Sequence, residues 1–283
     1  MAIALALAAA FVYGAADFLG GVASRRTSTI SAVVWSQAVG LALLAGLLPL
    51  FGGYAGKSDI FWGALCGIAG AVAIVCLYRG LAIGTMGIVS PVSAVLGASV
   101  PVLYGLAFRG EHPTALAAIG ILAALAAVVL VSAEPGARTE RKHFFPPGIP
   151  EGLLAGVAFG AYFIALAQTR ADAGMVPLFA ARVTSLILLV AGGFAFGGAT
   201  NVRLARPALV PVVLCGALDM SANVLYVLAA HRGLLAIVAV LTSLYPAATV
   251  ALASLTLRER LGRLQWIGVA LALGGAAVIA GGS

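Results

Sequence analysis

Charge is what this sequence has least of. Only 9% of its 283 residues are Asp, Glu, Lys or Arg, against about 25% in a soluble globular domain. A chain so poor in charge cannot cover its surface in water, which excludes a soluble fold. Catalytic signatures are missing too: the sequence holds no HExxH zinc helix, no GxxxxGK[ST] phosphate loop and no GxSxG elbow. Its three histidines, His112, His143 and His231, lie in loops or at helix ends, apart in sequence. The three cysteines, Cys66, Cys76 and Cys215, lie within apolar stretches without paired spacing, so they form neither a disulfide framework nor a metal site. No cofactor and no metal is expected. Nucleic acid is excluded as a partner although the net charge is +7, because the basic residues do not cluster on a face that could contact phosphates.

Apolar residues make up 63% of the chain, and its mean hydropathy is +1.13. Runs near the roughly 20 residues needed to cross a bilayer recur along it. They predict ten spans: 2–23, 30–52, 60–79, 86–108, 113–132, 150–168, 176–198, 207–230, 233–256 and 262–281. Each must be a helix, since backbone groups in lipid are satisfied only within the segment. A barrel is excluded, because barrel strands are far shorter and alternate. The first run is too long, and lacks the basic start, for a cleaved signal; it reads as the first span.

The longest polar stretch, 134–149, separates two halves, 1–133 and 150–283. The halves resemble each other. A shift of 148 places Tyr78 on Tyr226, Glu111 on Glu259 and Gly120 on Gly268, and a shift of 146 places Gly14 on Gly160. Five helices per repeat is an odd number, so the second repeat enters the membrane from the opposite side. The predicted fold is therefore an all-α membrane protein of two inverted five-helix repeats.

Loop charge fits that inversion. The loops after odd-numbered spans hold eleven of the sixteen Lys and Arg residues, the other loops hold four, and Arg182 lies inside a span. Arg25 and Arg26 follow span 1, whereas Arg203 and Arg206 follow span 7. By the positive-inside rule the richer side is cytoplasmic. Both termini are then expected on the outer, periplasmic side of the inner (plasma) membrane.

Ten spans in two halves, with an acidic residue opening the loop before the last helix of each (Gly110–Glu111 and Arg258–Glu259–Arg260), resemble the EamA branch of the drug/metabolite transporter superfamily. Within it the chain is similar to the YddG-like amino-acid exporter group. The resemblance covers essentially the whole chain. It implies a transporter of amino acids or other small metabolites, with a central cavity between helices 1, 3, 4, 6, 8 and 9.

Two carboxylates, Asp17 and Asp219, fall inside spans. Each costs on the order of 3 kcal/mol on insertion scales, and such residues face a cavity or a partner. For Asp17 the structural alternatives are pairing with Arg25 and snorkelling to the interface; for Asp219 the alternative is pairing with Arg182. Cys215, Asp219, Asn223 and Tyr226 recur at i, i+4, i+8 and i+11 on one helical face, which predicts a stripe turned from lipid. Tyr13 shares a face with Asp17, and Tyr78 is the repeat mate of Tyr226. Span 4 offers Ser90 and Ser93, span 6 Tyr162 and Phe163, and span 9 Thr242 and Tyr245. These residues are the candidate substrate contacts. Tyrosines also form interfacial belts, and Ser or Thr can simply join helices. Pro91 and Pro101 in span 4, and Pro246 in its repeat mate, span 9, are candidate hinges.

The expected activity is secondary transport of small organic solutes, amino acids among them, by alternating access. Partners are the bilayer, the solute and protons, and a monomer suffices. The alternatives are a membrane-embedded enzyme or lipid-handling protein using the buried carboxylates, and a multidrug cation exporter.

Overall fold

The computed structural model describes residues 1–51, 53–84, 86–110, 114–132, 147–197 and 202–257, with scattered residues between 263 and 278. The regular structure among the described residues is all helical, without strands. Helices α1 (Ala2–Ser24), α2 (Thr29–Phe51), α3 (Lys57–Ile83), α4 (Met86–Phe108) and α5 (Ala115–Ser132) form the first half. The second half comprises α6 (Ile149–Ala167), α7 (Val176–Gly197), α8 (Leu209–Ala230), α9 (Leu235–Thr242) and α10 (Tyr245–Leu257). The first eight match the first eight predicted spans. The ninth span is broken into α9 and α10, and most of the tenth lies outside the described residues, as do Glu111, Glu259 and residues 134–146 of the predicted linker. Among the described helices, α1, α2, α3, α6, α7 and α8 are each long and apolar enough to cross a membrane.

Large apolar side chains point away from the bundle: Phe11, Leu103 and Ile187 are each more than half exposed. In water such a surface would aggregate; in lipid it is the solvated face. Small residues stand at the helix contacts, where they let helices approach closely without a hydrophobic drive between them. A methyl group at Gly63 or Gly67 of α3 would stand 2.4 Å from the Pro177 or Ala181 carbonyl of α7.

Helix pairing repeats across the halves. Packing of α1 on α8 is matched by α6 on α3, that of α2 on α8 by α7 on α3, and that of α1 on α10 by α6 on α4. Each member of a pair is the repeat mate of the corresponding member, so a pseudo-twofold axis relates the halves.

The loops sort onto two faces as the odd-and-even pattern requires. On one face Arg25 donates to the Leu81 carbonyl at 3.4 Å, Arg26 donates to the Pro207 carbonyl at 3.1 Å, and Arg79 pairs with Glu151 at 3.4 Å. On the other, the Tyr54 amide donates to the Asp172 carbonyl, and Asp59 accepts from the amides of Gly56 and Arg170, all at 2.9 Å. Entry into α6 depends on Gly148, whose φ of +87° suits a residue without a Cβ; a methyl there would also stand 2.8 Å from Val89.

The hinge candidates part company. α4 runs unbroken through Pro91 and Pro101, the Pro91 side chain lying outside the described residues. Between α9 and α10 the helix stops at Ser243 and Leu244, and Pro246 occupies the first turn of α10. A proline has no N–H to give an upstream carbonyl, so it suits a helix start better than an interior.

Candidate functional site

A cavity of two adjoining lobes lies where the halves meet. Tyr13, Ile74, Phe159, Phe163 and Asp219 belong to both lobes, and so lie between them. The first lobe is the more polar of the two and adds Gln37, Arg182, Ser185 and Asn223. The second is largely apolar and adds Asp17, Ala94, Gly97, Ser243 and Tyr245.

The α8 stripe faces inward, and each member meets a different neighbour. Cys215 shares a hydrogen bond of 2.9 Å with the Tyr78 hydroxyl of α3. Asp219 accepts from the Arg182 guanidinium of α7, which also donates to Gln37 of α2. Asn223 accepts from the Tyr162 hydroxyl of α6 and donates to the Asp219 carbonyl at 2.7 Å. Tyr226 lies 4.5 Å from Phe163, ring centre to ring centre.

A buried ion pair is retained only where geometry and further hydrogen bonds offset its desolvation. Here Gln37 supplies the further bond, and Asn223 braces the backbone beneath Asp219. The expected pairing of Asp219 with Arg182 is present. The pairing of Asp17 with Arg25 is not, and Arg25 donates to the Leu81 carbonyl instead.

The hydroxyls of Tyr13 and Ser185 are buried at the cavity wall and bond to no described residue. A buried hydroxyl left unpaired costs about 1–3 kcal/mol, so both are available to a guest. Among the described residues no three metal-ligating side chains come together.

Seven of the twelve candidate contacts line the cavity: Tyr13, Asp17, Tyr162, Phe163, Asp219, Asn223 and Tyr245. The other five stand elsewhere. Tyr226 is fully buried behind Phe163. Tyr78 is buried against Gly20, where a methyl group would meet its ring at 2.2 Å. Ser90 and Thr242 are buried in helix packing, and Ser93 sits behind Tyr245 with its backbone against Gly156. Sequence reasoning missed Gln37, Ile74, Phe159 and Ser185, and noted Arg182 only as a partner. Gln37 carried a signal, as an amide inside a span; the apolar residues carried none. The helices expected around the cavity are joined by α2 and α7, which bring Gln37 and Arg182.

Two helical repeats about a pseudo-twofold axis, with a charged cavity at their seam, define a multi-pass membrane protein of the transporter type. The chain belongs to the EamA-like transporter family, whose model matches residues 1–133 and again 146–281. That is a family of membrane transporters of small solutes rather than of enzymes. No curated protein matches the sequence. Among solved structures, one crystal structure is similar over 96% of this chain and 98% of its own, with a TM-score of 0.68 and 19% identity. At that identity the likeness shows the fold alone.

Proposed function

We propose that this protein is a secondary transporter of small organic solutes, amino acids and related metabolites among them. Its two repeats would rock about the seam cavity in alternating access. The observation that carries this reading is the placement of Arg182, Asp219, Gln37 and Asn223 around one cavity at the interface of the halves. Charged groups are expensive in a membrane and persist where they serve a pathway. The break before Pro246 supports movement of α9 against α10. Protons are the proposed coupled ion, since two carboxylates, Asp17 and Asp219, reach the cavity. A single chain holds the whole cavity, so a monomer suffices.

The inner membrane is the proposed location, with the arginine-rich face cytoplasmic and both termini outside. A reporter fused after Ser283 is expected to be active only on the outer side; activity in the cytoplasm contradicts the orientation. For the substrate, purified protein is screened by thermal shift against amino acids and metabolites, and hits are tested by counterflow in proteoliposomes. Saturable counterflow of a hit supports transport. Its absence for every solute class contradicts it.

A further inference from the structure

We infer that Asp17 seats the nitrogen of an organic ammonium ion, and that the apolar lobe takes a monocationic amine with an apolar tail rather than a zwitterion. This narrows the substrate class of the transporter proposed above and rests on that reading for transport, though not for binding.

Asp17 is 6% exposed and stands in the wall of the second lobe. Among the described residues it makes no hydrogen bond and no ion pair, and the cations that could serve it are engaged. Arg25 donates to the Leu81 carbonyl. Arg182, the cation of the cavity, is held by Asp219 on one terminal nitrogen and by Gln37 on the other. The titratable groups that act on Asp17 are Asp219 and Cys215 on α8, Tyr78 on α3 and Tyr245 on α10, and none is a cation. With both carboxylates ionised, two negative charges face one guanidinium, and the surplus negative charge sits at Asp17. A carboxylate in apolar surroundings must take up a proton or a cation.

The walls select among cations. Ala94 and Gly97 leave room on α4, while Phe159, Phe163 and Tyr245 line the rest with ring surface. Aromatic faces accept both an ammonium group and a flat apolar tail. A strongly hydrated metal ion would find there only Asp17, Asp219, whose carboxylate Arg182 already holds, and a few hydroxyls, whereas hard cations want six or more oxygens. A zwitterion would bring a carboxylate that needs its own cation, and the single charge of Arg182 is already balanced by Asp219. An amine brings no such second charge.

Three probes of one shape isolate the charge: phenethylammonium, phenethyl alcohol and phenylalanine, titrated into the purified full-length protein by calorimetry. Phenethylammonium is expected to bind at least tenfold more tightly than either of the others. Asp17→Asn is expected to weaken it at least tenfold, and Asp17→Glu to recover part of the loss. Equal binding of the alcohol, tighter binding of phenylalanine, no ammonium binding, or full binding by Asp17→Asn each overturns the inference. The wild-type comparison of probes decides even where a variant fails to fold. Counterflow separates the two readings. Amine binding that depends on Asp17, without flux of any solute, upholds the site and contradicts transport. Amino-acid counterflow untouched by Asp17→Asn upholds transport and contradicts the site.

Discussion

Arg182 of α7 holds the carboxylate of Asp219 of α8 at the wall of the cavity, with both side chains largely buried. Each sits inside an apolar helix and would be costly alone.

Removing one partner therefore costs more than removing both. Arg182→Met leaves Asp219 buried and unpaired, at about 3–5 kcal/mol, and is expected to lower the melting temperature sharply. Arg182→Met combined with Asp219→Leu is expected to regain most of that stability while losing solute binding. Thermal unfolding in detergent reads the first effect and ligand-induced shift the second. Equal melting temperatures for single and double variants contradict the pairing account.

Glycines at the seams and glycines facing open space should respond oppositely to a methyl group. At Gly14 a Cβ would stand 2.3 Å from the Tyr245 carbonyl and 2.6 Å from the Ala248 Cβ; at Gly160 it would stand 2.5 Å from the Val100 Cβ. Gly14→Ala and Gly160→Ala are each expected to destabilise by about 1–3 kcal/mol through overpacking. Gly46 in α2 has no atom within 4 Å of a built Cβ. Gly46→Ala is expected to stabilise by up to about 1 kcal/mol, from helix propensity alone. A melting series of the three variants checks all three signs.

Acid should weaken the protein through His231, which follows α8 beside Thr169. Burial pushes its imidazole below the ordinary value of 6.5. The neutral ring is thus favoured in the folded state, while the unfolded chain takes the proton more readily. Its stabilising contribution is full above pH 6.5 and declines as the pH falls through the lower folded value. His231→Gln is expected to flatten the fall in melting temperature below pH 6.5. An unchanged pH profile in that variant contradicts the assignment.

Much of the fold was legible because lipid restricts the chain so severely. Apolar runs mark helices, and the odd number per repeat dictates inversion. The two alignment shifts found a geometric counterpart. A shift of 146 carries Gly14 to Gly160 and a shift of 148 carries Val100 to Ala248, and the structure packs Gly14 on Ala248 and Gly160 on Val100. The α8 stripe was legible for a similar reason, since polar groups at helical spacing must share an inward face. What stayed hidden was which inward groups reach the cavity and which only join helices. Asp219 and Tyr226 share the stripe, yet Asp219 meets the cavity and Tyr226 is closed off behind Phe163. Tyr78 looked equivalent to Tyr226 by repeat symmetry, but its hydroxyl is spent on Cys215. Ile74 and Phe159 gave no signal because an apolar residue looks the same facing lipid, core or cavity.

The central claim is that a solute crosses through the cavity at the seam of the repeats. Counterflow of a labelled hit into preloaded proteoliposomes tests it most directly, with wild type set against Ile74→Trp, which places an indole between the two lobes. Saturable counterflow by wild type, reduced at least tenfold in an equally well reconstituted Ile74→Trp, is the predicted result. Flux undiminished by that obstruction would place the pathway elsewhere and contradict the account.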